Sequence, residues 1–269
     1  MAKMTIPDFM QIRREGRKIA CMTAYDYNTA QILDRAGADM LLVGDSGARY
    51  LLGHSDNNHA TMDEMIIMTR SVARGAERAF VIGDMPFMSY QVNIEEAVRN
   101  AGRFIKEAGA DAVKLEGGAN FAPTIAAIVQ AGIPVQGHFG QTPMTTMGMG
   151  LHGYDQTPAD ADVDALIRDA QALEAAGCFS LILTRISPAD TAKINQKVNI
   201  PTLGGGPSSN GQAGVIGGLL GMGPEYIDGS RSRYGPVAKV LYEAASAYVA
   251  DVRAARAEAS EAAARSVGG

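Results

Sequence analysis

The sequence predicts a single (β/α)8 barrel, the TIM-barrel form of the α/β class, with an extra C-terminal helix. Three observations carry this prediction. The chain has 269 residues, close to the about 250 residues that one such barrel uses. Eight short apolar runs alternate with longer amphipathic segments. No linker-like stretch divides them. An open doubly wound sheet is the alternative, because the eighth run is rich in glycine.

The predicted strands are short runs rich in apolar and β-branched residues. They lie at residues 18–25, 40–44, 80–83, 112–115, 133–137, 179–183, 201–204 and, in a glycine-rich stretch, 215–220. The clearest amphipathic helical patterns lie at residues 61–74, 94–108, 121–131 and 160–176. Four predicted helices close with an Ala-Gly pair, at Gly37, Gly109, Gly132 and Gly177. Glycine suits this position because it adopts the left-handed backbone that ends a helix before the next strand.

Two regions are predicted. The barrel, as the catalytic domain, spans residues 1–235, and a helical extension spans residues 236–269. The extension is rich in alanine, glutamate and arginine, and its apolar face is mostly alanine, so it is not expected to join the barrel core. It is expected to pack on the outside of the barrel or on a neighbouring subunit, with a mobile end as the alternative.

Composition excludes several classes of protein. With 46% hydrophobic and 20% charged residues, the chain is globular rather than disordered or fibrous. A formal charge of −5 gives no electrostatic reason to expect nucleic acid or a membrane surface as a partner. The sequence shows neither a signal peptide nor an apolar stretch near the ~20 residues of a membrane-spanning helix. Cys21 and Cys178 lack metal-type spacing, so reduced, buried thiols in a cytoplasmic protein are expected.

Three carboxylates end predicted strands. Asp45 in Val-Gly-Asp-Ser-Gly, Asp84 in Ile-Gly-Asp-Met-Pro and Glu116 in Lys-Leu-Glu-Gly-Gly each stand between an apolar run and turn residues. The carboxyl ends of barrel strands face one another, so these groups should converge. Their negative charges repel unless a cation lies among them, and an all-oxygen set favours Mg²⁺ first and Mn²⁺ second. The alternative is that one or more of them caps a helix or binds a loop amide.

Two basic residues share strand faces with this group or lie beside it. Lys114 and Glu116 are two positions apart, so their side chains point to the same face. The lysine is expected to hold a substrate carboxylate or carbonyl, with a structural ion pair to Glu116 as the alternative. His138 shares a face with Gln136 at the end of the next predicted strand. There a histidine hydrogen-bonds substrate, shuttles a proton or fills a structural role.

Six segments form a set in order along the chain. They read Thr-Ala-Tyr-Asp at 23–26, Leu-Leu-Val-Gly-Asp-Ser at 41–46, Gly-His at 53–54, Gly-Asp-Met-Pro-Phe-Met-Ser-Tyr at 83–90, Val-Lys-Leu-Glu-Gly-Gly at 113–118 and Gly-His-Phe-Gly-Gln-Thr-Pro at 137–143. Together they resemble the ketopantoate hydroxymethyltransferase family. The resemblance implies a barrel of the phosphoenolpyruvate mutase and isocitrate lyase superfamily, usually decameric. It also implies transfer of a one-carbon unit from 5,10-methylenetetrahydrofolate to 3-methyl-2-oxobutanoate in pantothenate synthesis.

The same resemblance implies roles for individual residues. It assigns the Mg²⁺ site to Asp45, Asp84 and Glu116, with Glu116 acting through water. It assigns contacts with the 2-oxo acid to Ser46, Lys114 and His138, and Tyr25 is expected to be a further substrate contact. A metal chelated by a 2-oxo acid acts as a Lewis acid and stabilises the enolate that forms at the adjacent carbon.

The sequence departs from the family pattern at the end of the sixth strand. The family carries a glutamate there, in a pattern like Leu-Val-Leu-Glu, whereas this chain reads Leu-Ile-Leu-Thr184 followed by Arg185. A threonine hydroxyl is no substitute for a carboxylate base, and loss of a general base costs about 10²–10⁴-fold in rate. His138, Tyr25 or a metal-bound water is the candidate replacement. Arg185 is the candidate to bind an extra carboxylate on a larger substrate.

Three functions follow from these residues. The first is the family reaction, a Mg²⁺-dependent hydroxymethyl transfer with an altered base, for which His138, Lys114, Thr184 and Arg185 are the candidate catalytic residues. The second is a diverged metal-dependent aldolase, lyase or decarboxylase that acts on another 2-oxo acid. The third is a catalytically silent relative that binds without turnover. In each case the expected partner is a small 2-oxo acid, and the chain is expected to form a homo-oligomer.

Overall fold

The computed structural model describes residues 2–145, 162–228, 232 and 234–267, and of residues 145 and 255–267 only the backbone. The chain divides into two compact units, Met1–Gly214 and Val215–Gly269. The barrel boundary after residue 235 stays a prediction. The first two residues of the helix predicted at 160–176 lie outside the described residues.

Eight parallel strands form a closed barrel in the first unit, in the order of the sequence. They are β1 (Ile19–Thr23), β2 (Met40–Val43), β3 (Phe80–Asp84), β4 (Ala112–Glu116), β5 (Val135–Gly140), β6 (Ser180–Thr184), β7 (Thr202–Gly204) and β8 (Gly211–Gly214). β8 pairs with β1, with Ile19 opposite Gly211, which closes the sheet on itself. The predicted (β/α)8 barrel is confirmed, and the open doubly wound sheet is excluded.

Helices precede and connect these strands. They are α1 (Ile6–Arg14), α2 (Tyr27–Arg35), α3 (Gly47–Tyr50), α4 (Met62–Gly75), α5 (Ile94–Arg103), α6 (Ala122–Gln130), α7 (Val163–Ala175) and α8 (Pro188–Asn195). α5 continues into a π-helical turn at Phe104–Ala108, which completes the helix predicted at 94–108. Local sequence fixes several helix starts. At α4, Thr61 and Glu64 bind each other's backbone N–H groups in a capping box.

An apolar cluster fills the amino-terminal end of the barrel. Phe9 and Ile12 of α1 are buried among residues from the first halves of the strands. The ring of Phe9 meets Phe80 of β3 edge-on at 5.4 Å between centroids and stacks on Phe179, just before β6, at 6.4 Å. Aromatic pairs of this kind add stability beyond the area that they bury. α1 therefore closes one end of the barrel with apolar side chains, and polar groups are left for the other end.

The eighth strand is not where the sequence predicts it. Residues 215–220 do not form a strand, since Ile216–Leu220 forms the short helix α9, which ends at Gly221 with a left-handed φ of +60°. The strand is the preceding Gly211–Gly214. A Cβ at Gly211 would overlap the carbonyl oxygen of Ile19, so glycine lets β8 approach β1 closely. A run of small residues lacks the β-branched pattern that marks a strand, which explains the error.

The second unit contains α9 and the long helix α10 (Val237–Val267). The N–H of Tyr234 donates to the carbonyl of Leu219 at 3.1 Å, and that of Ala238 donates to Gly221 at 2.9 Å. These bonds attach the start of α10 to α9. Within the residues that the structure describes, α10 and the other helices fall short of the combined length and apolarity that a bilayer crossing requires.

Candidate active site

Polar side chains gather at the carboxyl ends of neighbouring strands. Asp84 and Glu116 are the last residues of β3 and β4, His138 lies in β5, and Asp45 follows β2 by two residues. Lys114 and Glu116 alternate with apolar positions along β4, so both face the inside of the barrel. All five side chains are buried. The predicted convergence of the three carboxylates at one end of the barrel therefore agrees with the strand topology.

Lys114 lies at the centre of this group. Its Nζ is 2.8 Å from Asp84 Oδ2 and 3.2 Å from Glu116 Oε1. The backbone N–H of Asp45 donates to the same Asp84 oxygen at 3.0 Å, and Asn57 Nδ2 donates to Asp45 Oδ1 at 2.9 Å. The Lys114 ammonium group thus contacts the carboxylates of Asp84 and Glu116. Asp45 joins this group through its backbone N–H, which binds Asp84.

Charge and burial oppose each other in this group. Burial works against the charge on Lys114, yet Asp84, Glu116 and Asp45 hold the pKa of the lysine above its usual range. Burial raises the pKa of Asp45 and, against the attraction of Lys114, that of Asp84. Burial also opposes ionisation of Glu116, but Lys114 and His138 hold its pKa below its usual range. Glu116 is therefore the carboxylate most firmly kept in its ionised form.

The carboxylates differ in how many oxygen atoms are already engaged. Asp45 Oδ2 and Asp84 Oδ1 are buried and have no hydrogen-bond partner in the described part of the chain. Glu116 uses both oxygens, because Oε1 contacts Lys114 and Oε2 accepts from the N–H of Met144 at 3.0 Å. Across the described ranges, no three His, Cys, Asp or Glu side chains are grouped closely enough to hold a metal ion together. The unpartnered oxygens of Asp45 and Asp84 are hard donors of the kind that a divalent cation takes, whereas both oxygens of Glu116 are engaged.

A line of three side chains crosses from β4 to β6. His138 Nδ1 lies 3.1 Å from Glu116 Oε1. On the other side of the ring, Nε2 lies 2.5 Å from Thr184 Oγ1. Nδ1 is at ion-pair distance from Glu116 but not aligned for a hydrogen bond, and a ring protonated at Nδ1 accepts the hydroxyl proton of Thr184 at Nε2. The sequence names all three residues as candidates, and the fold joins them into one carboxylate, imidazole and hydroxyl series.

Three hydroxyl groups form a second line near the end of β1. Tyr25 Oη lies 2.9 Å from Thr23 Oγ1 and 2.9 Å from Ser46 Oγ. Burial raises the pKa of Tyr25 to about 12, so the phenol is neutral near pH 7. A neutral phenol is a poor proton acceptor, and Tyr25 Oη is engaged with Thr23 and Ser46.

Arg185 adopts a left-handed backbone with φ of +56°, which is uncommon outside glycine. Its Nη1 donates to Gln141 Oε1 at 3.3 Å. Gln141 follows β5 directly and is buried. Arg185 thus contacts the end of the neighbouring strand.

Two residues of this site escape sequence reasoning. Tyr90 Oη donates to the carbonyl of Glu116 at 2.9 Å and accepts from its N–H at 3.1 Å, so one phenol binds both backbone groups of that residue. Asn57 binds Asp45, as described above. The only signal for Tyr90 is its place at the end of the segment 83–90, and Asn57 gives no signal because its position depends on the path of a loop.

The comparisons with known proteins decide the family. A family model described as ketopantoate hydroxymethyltransferase matches residues 3–257 of the chain. The chain belongs to the ketopantoate hydroxymethyltransferase family. The resemblance carried by the six segments is confirmed. The chain is therefore an enzyme of a family of one-carbon transferases.

Relatives named 3-methyl-2-oxobutanoate hydroxymethyltransferase match this family member along most of their length. The one from Pelobacter propionicus is 44% identical over 253 residues, which cover 93% of each chain. The one from Syntrophobacter fumaroxidans is 46% identical over 252 residues, covering 93% of this chain and 89% of the relative. The one from Pseudothermotoga lettingae is 47% identical over 243 residues, covering 89% and 91%.

Solved structures share the fold of this family member at lower identity. Phosphonopyruvate hydrolase in complex with oxalate and Mg²⁺ gives a TM-score of 0.61 at 15% identity, covering 94% of this chain and 87% of that one. 2,3-Dimethylmalate lyase, described as a member of the phosphoenolpyruvate mutase and isocitrate lyase superfamily, gives 0.57 at 17% identity, covering 78% and 80%. At such identities the likeness shows the fold alone.

Proposed function

We propose that this protein joins the methylene carbon of 5,10-methylenetetrahydrofolate to carbon 3 of 3-methyl-2-oxobutanoate, as in pantothenate biosynthesis. Water supplies the hydroxyl group of the transferred hydroxymethyl unit, and tetrahydrofolate is released. One observation carries the proposal: Asp45 Oδ2 and Asp84 Oδ1 are buried and unpartnered within the described residues, beside Lys114 at the carboxyl ends of the strands. Relatives named for this reaction support it.

The two aspartates would hold a divalent cation, Mg²⁺ by preference and Mn²⁺ as the substitute, because carboxylate oxygens are hard ligands. Glu116 would contribute through water, since both of its oxygens are engaged. When bound, the cation supplies Lewis acidity to a chelating 2-oxo acid, which makes the adjacent carbon acidic.

Lys114 and Ser46 would bind the oxo acid by donating hydrogen bonds to its oxygen atoms. The buried charge of Lys114 also stabilises the negative charge that develops on the substrate oxygen as carbon 3 loses its proton. Tyr25 would keep the Ser46 hydroxyl in place through their 2.9 Å contact. These residues bind and orient the substrate but do not remove its proton.

A proton acceptor is needed because Thr184 stands where the family carries a glutamate. In the proposed step, carbon 3 gives its proton to Thr184 Oγ1 while the threonine proton passes to His138 Nε2. The two transfers occur together, so no threonine alkoxide accumulates. Glu116, 3.1 Å from His138 Nδ1, balances the imidazolium charge. The 2.5 Å contact between Thr184 and His138 supports this route.

Hydrogen exchange at carbon 3 tests the proposal directly. Protein, Mg²⁺ and 3-methyl-2-oxobutanoate in D₂O are expected to turn the methyl doublet of the substrate into a singlet in the ¹H NMR spectrum. Addition of 5,10-methylenetetrahydrofolate is expected to yield ketopantoate. No exchange and no product at high enzyme concentration would refute the proposed function.

Variants separate the base from the rest of the site. Thr184→Val and His138→Gln are expected to slow exchange about 10²-fold or more, because each breaks the proposed proton route. Thr184→Ser keeps the hydroxyl and is the matched control, with exchange near the wild-type rate. Unchanged exchange in Thr184→Val would show that another group removes the proton.

A second candidate function is favoured by the pair Thr184 and Arg185, which departs from the family pattern. In that case the same site cleaves or decarboxylates a different 2-oxo acid. Consumption of oxaloacetate without any hydroxymethyl transfer would favour this lyase activity. Binding of oxo acids without exchange, transfer or cleavage would indicate a catalytically silent relative.

A homo-oligomer in the cytoplasm completes the proposal. Exposed apolar side chains on α10 support assembly, with Val240, Leu241 and Tyr248 at 59%, 70% and 71% exposure. Free, buried Cys21 and Cys178 support a reducing compartment. Sedimentation velocity at micromolar concentration tests the assembly, and a monomer would refute it.

A further inference from the structure

We propose that Arg185 and Gln141 form a second carboxylate-binding site, beside the place that receives the 2-oxo acid. The inference rests on the proposed function, because it needs a reaction component that carries a further carboxylate. Two components qualify: the glutamate part of the tetrahydrofolate co-substrate, and the distal carboxylate of a dicarboxylic 2-oxo acid. Arg185 and Gln141 lie at the ends of β6 and β5, away from Asp45 and Ser46, which follow β2.

Strand register brings the two residues together. Gly140 of β5 stands opposite Thr184 of β6, so Gln141 and Arg185 leave adjacent strands at the same level. Gly140 has a φ of +100°, and a Cβ there would overlap the Thr184 carbonyl oxygen. The N–H of Gln141 donates to that oxygen at 3.1 Å. The backbone thus holds both side chains in a fixed relation.

The conformation of Arg185 directs its side chain to this place. A left-handed backbone is rare for a residue with a Cβ, and such conformations are concentrated at functional sites. With φ at +56°, Nη1 reaches Gln141 Oε1 at 3.3 Å. The contact fixes the orientation of the glutamine amide, because its oxygen takes the guanidinium donor and its nitrogen points elsewhere.

Gln141 supplies the observation that points to a ligand. Its side chain is 5% exposed. Its Nε2 is buried without a hydrogen-bond partner among the described residues. Buried donors are normally satisfied, so this one is available to an acceptor that the chain itself does not provide. A neutral amide donor next to a guanidinium suits a ligand with negative charge and two acceptor atoms, which describes a carboxylate.

The site lies next to the proposed proton route. Arg185 directly follows Thr184, whose hydroxyl contacts His138. A carboxylate held by Arg185 and Gln141 would therefore fix one end of a ligand whose reactive part lies over Thr184. This arrangement makes Arg185 a specificity-determining residue rather than a catalytic one.

Calorimetric titration in the presence of Mg²⁺ tests the site with binding as the readout. The probes are 5-formyltetrahydrofolate, its diamide with both glutamate carboxylates converted to amides, 2-oxoglutarate and 3-methyl-2-oxobutanoate. Arg185→Gly removes the cation and suits the left-handed backbone, so this variant is expected to fold. Gln141→Met removes the amide at similar volume. Arg168→Ala, an exposed arginine of α7, controls for the loss of one positive charge.

We expect Arg185→Gly to weaken binding of one dicarboxylate probe about tenfold or more, and Gln141→Met to weaken it less. Loss confined to 5-formyltetrahydrofolate, with its diamide unaffected, identifies the folate glutamate. Loss confined to 2-oxoglutarate identifies a dicarboxylic oxo acid. Binding of 3-methyl-2-oxobutanoate is expected to stay unchanged in every variant.

Two results would overturn the inference. One is equal affinity of wild type and Arg185→Gly for both charged probes, and the other is no detectable binding of either probe by the wild type. Failure of the proposed function is a separate result. It appears as absent carbon 3 exchange in the wild type, and it leaves an Arg185-dependent loss of carboxylate binding intact.

Discussion

The mouth of the barrel has two unlike sides. On β3, β4 and β5, the strand ends carry Asp84, Lys114, Glu116 and His138, whose side chains are buried and contact one another. On β7 and β8, the strand ends carry little beyond glycine. The first side is held by charge, and the second by close contact between backbones. Thr184, the last residue of β6, and Arg185 directly after it lie between the two.

The two sides differ in how readily a single residue can be replaced. Buried charges are stable only when they are paired with opposite charges. Removal of one partner leaves the other charge uncompensated in a poorly solvating interior. The charged side therefore resists change at single positions. At the end of β6, by contrast, the hydroxyl of Thr184 contacts His138 and carries no charge that would need a partner. Replacement there is compatible with an intact network.

We expect the greatest loss of stability when a buried charge on the side formed by β3, β4 and β5 is removed. Lys114→Met leaves Asp84 and Glu116 buried without their cation, and we expect a loss of about 3–5 kcal/mol in the free energy of unfolding. Urea denaturation measures it. Lys193→Met, which removes an exposed lysine paired with Asp190, is the control and should change stability by no more than about 1 kcal/mol. Similar losses in both variants would show that burial of the charge is irrelevant.

A somewhat smaller loss of stability is expected when a side chain is added on the glycine-rich side formed by β7 and β8. Gly211→Ala places a Cβ against the carbonyl oxygen of Ile19, and overpacking of this kind costs about 1–3 kcal/mol. Gly218→Ala is the matched control, because a Cβ there meets nothing within 4 Å. Denaturation midpoints compare the two. A harmless Gly211→Ala would mean that β8 moves away from β1 without penalty, contrary to a barrel held by close backbone contact.

A still smaller loss of stability is expected when Tyr90 can no longer bind the backbone of Glu116. Tyr90→Phe removes the hydroxyl that binds both backbone groups of Glu116, and we expect a loss of about 1–2 kcal/mol from the buried amide left without its partner. Tyr242→Phe, on the exposed surface of α10, should be neutral. If Tyr90→Phe were equally neutral, the orientation of Glu116 would not depend on the phenol.

The reactivity of the two thiols reports how tightly each side of the barrel is packed. Cys21 lies in β1, next to β8, and Cys178 lies close to Gly137 of β5. Burial raises the pKa of Cys21 and of Cys178 to about 12. A raised pKa disfavours the reactive thiolate at every pH below it, leaving about one part in ten thousand at pH 8. Ellman's reagent should therefore label neither thiol in the folded protein, and both thiols once guanidinium chloride has unfolded the chain. Faster labelling of one thiol in the native state would identify the more loosely packed side.

Sequence reasoning predicts the fold well where periodicity is strong and poorly where side chains are absent. β2 to β6 are built mainly on apolar residues such as Leu, Val, Ile and Phe, and their predicted ends place Asp84 and Glu116 correctly. β8 consists of Gly-Gln-Ala-Gly, which carries no strand signal. It forms because a closed barrel needs an eighth neighbour for β1, a condition on the whole fold that no local window contains.

The site divides in the same way. Alternation along β4 places Lys114 and Glu116 on one face, and both facts are visible in the sequence. The ion pairs between them, and the contact of His138 with Thr184, depend on the distance between strands and follow only from the closed barrel. The bond from Asn57 to Asp45 depends on a loop, whose path is set by contacts distant in sequence.

Phe9 and Ile12 close the amino-terminal end of the barrel with apolar side chains. Only the carboxyl end of the barrel is therefore left for ligands. Ligands of the proposed site then enter and leave at the end where the buried polar groups lie. When two ligands use the same entrance, the ligand that binds beneath the other must bind first and dissociate last. For the proposed reaction we therefore expect ordered binding with the oxo acid as the leading substrate, and initial-rate kinetics with both substrates varied would test it.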